Sequence, residues 1–156
     1  MSLPDLILRP ARAPDAPGLS DLIYRSKHSN GYDDAFMAAC AHELRVTPAR
    51  LIASTYWLAE RGGTPLGCAA LRPHTDTVGE VHAFFIDPDH KRQGIGRLLW
   101  RRLHRTAMGQ GFASLILDAD PAAVPFYEDL GFRWRRDVPS GSIPGRTLPQ
   151  MTRPLP

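Results

Sequence analysis

The stretch "FFIDPDHKRQGIGRLL", residues 84–99, decides how the chain is read. An apolar run ends at Asp87-Pro88. A charged patch with two glycines, Gly94 and Gly96, then leads into a leucine-rich helix. That helix is predicted from Gly94 to Gln110, with Ile95, Leu98, Leu99, Leu103 and Ala107 on one apolar face and Gly111 ending it. A helix start offers N–H groups without intrahelical partners and the positive end of the helix dipole. Lys91, Arg92 and Arg97 surround the same spot, so the amides of residues 92–97 can converge on an anion. By mechanism this is a pyrophosphate cradle. It is not a P-loop, because GxxxxGK[ST] is absent. Nor is it the dinucleotide fingerprint, which would need Gly at position 99, where the chain has Leu.

Upstream of this stretch, Leu6–Arg9 reads as a first strand. Ala13-Pro14-Asp15 opens a helix carrying Leu19, Leu22 and Ile23. After the turn "SNGYDD", Asp33 or Asp34 can cap a helix through Phe36, Met37, Cys40 and Leu44. Thr47-Pro48 starts a short turn through Leu51-Ile52. "TYWLAE" and "PLGCAAL" are strands joined by the hairpin turn Arg61-Gly62-Gly63-Thr64, and "TVGEVHAFFID" is a third, longer strand. Downstream, "FASLILD" is apolar enough for a central strand buried on both faces. A helix follows from Pro121 to Leu130, closed by Gly131. "FRWRRDV" and "TLPQMTRPL" are the last strands, joined by the loop "PSGSIPG". The order β-α-α-β-β-β-α-β-α-β-β predicts an α/β (α+β) fold. Its sheet is mostly antiparallel, with one parallel pair.

The 156 residues suffice for one domain with a real core, and no repeat or linker divides them. No apolar run approaches the length of a membrane span, and the first residues have no signal-peptide pattern. Cys40 and Cys68 lack metal-ligand spacing, which implies reduced thiols and a cytosolic protein with no metal. A net charge of +3 suits an anionic ligand without implying nucleic acid. The arginine-rich helix face, with Arg101, Arg102, His104 and Arg105, is read as solvated, Arg97 being the exception by position. Only four glutamates are present, so Glu80 in a strand stands out.

A second motif is Phe126-Tyr127-Glu128-Asp129-Leu130-Gly131-Phe132. Phe126 and Phe132 read as core. Tyr127 can face a cleft and donate its proton. Taken with Lys91-Arg92-Gln93-Gly94-Ile95-Gly96, this ending resembles the GNAT superfamily of acetyl-CoA-dependent N-acetyltransferases, over residues 78–137 best. The family's first motif is Q/R-x-x-G-x-G/A, and Lys91 stands at its first position. The family often has Asn seven residues before the Tyr, where this chain has Asp120. "SKHSNGYDDAFM" and "SGSIPGRTLP" look like segments of a bacterial subgroup.

The resemblance implies a single GNAT domain over residues 1–156. It also implies six to seven strands, a splayed parallel pair and about four helices. Acetyl-CoA would be the acyl donor. Its pantetheine arm would pair with the open strand edge at Phe84, Phe85 and Ile86, since an exposed edge accepts an amide-rich ligand as a missing strand. Its phosphates would meet Lys91, Arg92, Gln93, Gly94, Ile95, Gly96 and Arg97, with Asp120 and Tyr127 completing the site.

Glu80 is the candidate general base, His82 its backup, and Tyr127 the candidate general acid. Strand alternation puts Glu80, His82, Phe84 and Ile86 on one face unless a bulge intervenes. Lys27, His28, Tyr32, Asp33 and Phe36 fall in the segment that covers the acceptor in this architecture. Lys27, Tyr32 and Phe36 are the substrate-binding candidates. The expected acceptor is a small-molecule or peptide amine, acetylated by direct transfer in a ternary complex. A homodimer is common in the family, and no nucleic-acid or membrane partner is expected. The alternative is a CoA-binding sensor or regulatory module without catalysis.

Overall fold

The computed structural model describes residues 5–156. Seven strands form one sheet in the order β1-β2-β3-β4-β5-β7-β6. They are β1 (Leu6–Pro10), β2 (Thr55–Arg61), β3 (Thr64–Pro73), β4 (Val78–Ile86), β5 (Ser114–Asp118), β6 (Arg133–Pro139) and β7 (Thr147–Pro154). Every pairing is antiparallel except β4 with β5. At the β2–β3 turn, Gly62 and Gly63 have φ of 57° and 79°. Two successive left-handed residues match the twist of a two-residue hairpin, and glycine adopts them without a Cβ clash.

Five α-helices flank the sheet: α1 (Ala16–His28), α2 (Asp34–Leu44), α3 (Pro48–Ala53), α4 (Ile95–Gly109) and α5 (Val124–Asp129). The sequence implied about four. The fifth is α3, the segment expected to be a short turn. Thr47 Oγ1 accepts from Arg50 N–H at 3.2 Å, and Pro48 fits the first helical position. Asp33 caps α2, with its carboxylate accepting from Phe36 N–H at 2.8 Å. The helix expected from Pro121 to Leu130 is two pieces, a 3-10 turn at Pro121–Ala123 and then α5.

The sheet separates two cores. On one side Ile95, Leu99, Leu103 and Ala107 of α4, spaced four apart, pack with Leu115, Leu117, Phe132 and Met151. On the other, Leu19, Leu22 and Ile23 of α1 and Met37 and Cys40 of α2 pack on Tyr56, Leu58, Cys68 and Ala70. Each buried leucine contributes roughly 1.5–3 kcal/mol. Two residues expected to be solvated lie against aromatic rings instead. The Arg102 guanidinium sits 4.8 Å over the Trp57 ring, and His104 lies against Trp100. No described helix is long and apolar enough to cross a membrane.

Candidate active site

The parallel ladder between β4 and β5 lasts three pairs, Val78↔Ser114, Gly79↔Leu115 and Glu80↔Ile116. Beyond Glu80 the strands separate, and β4 runs on to Ile86 without a neighbour on that side. The opening is a cleft of about 710 Å³. Its walls are Glu80–Ile86 of β4, Leu117 and Asp118 of β5, Asp120, Phe126 and Tyr127, and the start of α4. Unpaired N–H and C=O groups on such an edge invite an extended, amide-bearing ligand.

A bulge shapes this edge. Cys68 pairs with Phe85 and Ala70 with His82, so Ala83 and Phe84 together face Ala69. Ala83 adopts φ 49°, left-handed and uncommon for a residue with a Cβ. The expected alternation is therefore broken. Val81, Phe84 and Ile86 pack with the α4 core, whereas Ala83 and Phe85 pack with the α1–α2 core. Cys68 Sγ donates to the Ala83 carbonyl at 3.1 Å. Burial pushes this thiol up to about 12, which keeps it a donor rather than a thiolate.

The basic half of the cleft lies where the sequence put it. Lys91, Arg92, Gly94, Ile95, Gly96 and Arg97 line it; Gln93 belongs to the same loop without lining it. Arg92 at φ 61° and Gly94 at φ 88° give the loop two left-handed turns. The first turns of α2 and α3 have side-chain caps, but Gly94 leaves α4 uncapped. Its first N–H groups therefore remain available to an anion. The loop is held from behind by Asp87, 5% exposed, which accepts from Asp89 N–H, from Arg25 at 2.7 Å and pairs with His90 at 3.2 Å. Burial alone would raise its carboxyl. The hydrogen bonds from Arg25, His90 and Asp89 outweigh that and hold it below the usual range.

The three catalytic candidates line the cleft together. Glu80 Oε1 accepts from Arg72 Nε at 2.7 Å. His82 Nε2 lies 2.9 Å from Ser54 Oγ, and its ring meets Tyr56 edge-on. Burial, helped by the charge of Arg72, lowers His82 to about 4, so the imidazole is neutral at neutral pH. Tyr127 is 8% exposed, among Phe84, Phe126 and Phe132. Burial chiefly, then the charge of Asp120, raises its phenol above the ordinary 10.0. It therefore stays protonated and able to donate.

Of the acceptor candidates, only Lys27 lines the cleft. Tyr32 and Phe36 stand behind it, with rings stacked at 4.0 Å. Asp120 joins the three. Its Oδ2 accepts from Lys27 Nζ at 3.1 Å and from Tyr32 Oη at 2.8 Å, while Oδ1 accepts from Ala122 N–H at 2.9 Å. His28 and Asp33 play other parts, His28 lying 3.6 Å from Asp34 and Asp33 capping α2.

Sequence reasoning missed Arg146, whose Nη2 donates to Tyr32 Oη at 2.7 Å across 114 residues. It also missed the partners Arg72 and Ser54, which carry no local motif. Among the described residues, no group of three or more His, Cys, Asp or Glu is arranged to hold a metal ion.

A profile described as the Acetyltransferase (GNAT) family matches residues 21–132. Mycothiol acetyltransferase of Thermobispora bispora is 37% identical over 93 residues, which is 53% of this chain and 32% of that protein. The chain spans 32% to 39% of the length of the curated relatives it matches. A GCN5-related N-acetyltransferase from Rhodopseudomonas palustris superposes with a TM-score of 0.80 at 22% identity, covering 99% of both chains. The PaiA N-acetyltransferase of Thermoplasma acidophilum, solved in complex with coenzyme A, gives 0.78 at 16% identity, again over 99% of both. These two likenesses show the fold.

Proposed function

Because the chain belongs to the GNAT acetyltransferase family, we propose that it is an N-acetyltransferase moving an acetyl group from acetyl-CoA to a primary amine. In this reading residues 1–156 work as one catalytic domain and the transfer is direct. The carrying observation is the three-pair ladder between β4 and β5, which leaves an open β4 edge leading to the uncapped start of α4.

These residues fit the donor. The main chain at Phe84–Ile86 offers a strand edge to the pantetheine amides. The α4 amides, Lys91, Arg92 and Arg97 offer donors and positive charge to the phosphates, with Gln93, Gly94, Ile95 and Gly96 contributing backbone. Acetyl-CoA, when bound, supplies an activated acyl group. The backbone N–H near Phe85, turned by the bulge, stabilises negative charge developing on the acyl oxygen. Most of the acceleration comes from holding amine and acyl carbon together.

Glu80 takes the proton of the attacking ammonium, directly or through water, and Tyr127 returns a proton to the leaving sulfur. His82, lowered to about 4, is neutral at neutral pH and is the second candidate for the base. Cys40 and Cys68 are poor nucleophiles, because burial raises both thiols. The test is Glu80→Gln, assayed by thiol release and by calorimetric CoA titration. The expected result is a rate lowered about 100-fold with CoA affinity retained. An unchanged rate at every pH removes Glu80 from the base role.

A further inference from the structure

The group around Asp120 has an unbalanced inventory of hydrogen-bonding capacity. Both carboxylate oxygens are engaged, Oδ1 by Ala122 N–H and Oδ2 by Lys27 and Tyr32. Tyr32 Oη gives its one proton to Asp120 and accepts from Arg146. Both cations also lie beside the Tyr32–Phe36 stack, Lys27 being 5.8 Å from the Phe36 centroid and Arg146 5.2 Å from the Tyr32 centroid. Arg146 lies 4.8 Å from the Phe36 centroid and Lys27 5.2 Å from the Tyr32 centroid. What remains is mostly donor capacity. An ammonium has three N–H donors and a guanidinium five, and Lys27 and Arg146 each spend one within this group.

The charge is unbalanced in the same sense. Among the described residues, Asp120 is the one carboxylate within 4.0 Å of either cation, so two positive charges share one negative charge. The side chains of Lys27, Asp120 and Arg146 are 13%, 14% and 19% exposed. Water screens them poorly there, so the surplus charge acts on anything entering the cleft that Lys27 and Asp120 line. A cationic acceptor would meet a net positive field and few open lone pairs in this group.

We propose that the acceptor amine of this chain carries an oxyanion, a carboxylate or a phosphate, a few bonds from its amino group, and that Lys27 and Arg146 bind it. The proposal rests on the acetyltransferase reading above and narrows its substrate class. The positive pair then does two things. It anchors the acceptor by charge-assisted hydrogen bonds, and it rejects polyamine-like acceptors by repulsion. The Tyr32–Phe36 stack and Asp120 hold the two cations in place.

The experiment compares matched acceptors in the thiol-release assay with acetyl-CoA. One pair is an α-amino acid and its amide; the other is an aminoalkyl phosphate and the corresponding amino alcohol. The charged member of at least one pair is expected to exceed the neutral one about tenfold or more in kcat/KM. Which pair does so identifies the oxyanion. In Lys27→Gln and Arg146→Gln that ratio falls towards one, and Arg146→Lys restores part of it. Neutral members used equally well or better overturn the proposal while leaving the acetyltransferase reading intact. A wild-type ratio that survives in both Gln variants also overturns it. No thiol release with any amine removes the enzymatic reading and this inference with it. Should a variant fail to fold, as circular dichroism would reveal, the wild-type ratio alone still decides.

Discussion

Arg25 Nη1 lies 2.7 Å from Asp87 Oδ2, and this ion pair ties α1 to the loop that opens the α4 cradle. The arginine is 42% exposed and the carboxylate 8%, so the aspartate side carries most of the burial cost. Asp87→Asn leaves Arg25 without that charge partner and weakens the bond to His90. The expected loss is about 1–3 kcal/mol in urea unfolding, with weaker CoA binding. The pH sign follows from the lowered carboxyl. The stabilisation is present above the unfolded value of 3.8 and is lost as pH falls through the folded value below it. Wild type and Asp87→Asn should therefore converge in stability only below about pH 4. Equal stability at pH 7 would refute this role.

His82 gives a pH slope of the same sign, but from the cost of charging a buried group rather than from a paired charge. Its folded value, about 4, lies below its unfolded 6.5, so the unfolded chain binds the proton more tightly. Stability is full above 6.5, falls as pH drops from 6.5 towards 4, and levels off below. The gap sets an upper bound of roughly 3 kcal/mol. His82→Gln should flatten the slope in that window. Parallel pH–stability curves for the two proteins would show that His82 is not the group responsible.

Tyr127→Phe tests the acid. The phenol is raised above 10.0, so it stays protonated across the working range and no alkaline rate loss below pH 10 is due to it. Removing the hydroxyl is expected to lower kcat about 100-fold with CoA affinity little changed. A wild-type kcat would mean the ring only packs against Phe84 and Phe132.

Ala83 tests the bulge. A β-branched side chain is strained at φ 49°, so Ala83→Val should cost about 1–3 kcal/mol and lower kcat as the edge shifts. Ala83→Gly accepts the conformation and should stay within about 1 kcal/mol of wild type. Thermal melts and steady-state rates of both variants check this. A valine variant as stable as the glycine variant would mean that the left-handed turn is not held in solution.

The segment from β4 through α5 was legible because its signals are local. A long strand, four apolar residues spaced by four in α4, and two glycine-marked loops each lie within a few residues of one another. The bulge was not legible, since "VHAFFI" is apolar at every position but His82 and nothing in it marks Ala83. α3 was read as a turn because six residues are too few to show a helical period. Lys27 and Tyr32 were marked together as acceptor-side residues and Asp120 as part of the donor site, yet nothing in the sequence said that they touch. Their partner Arg146 arrives from 114 residues beyond Tyr32, and only the folded sheet brings the β6–β7 loop to α2.

The most direct measurement is amine-dependent release of free thiol from acetyl-CoA by the purified chain, with product mass in parallel. The account predicts thiol release stoichiometric with an amine gaining one acetyl group. Tight, saturable CoA binding with no thiol released by any amine would contradict it, and would leave the cleft between β4 and β5 as a binding site without catalysis.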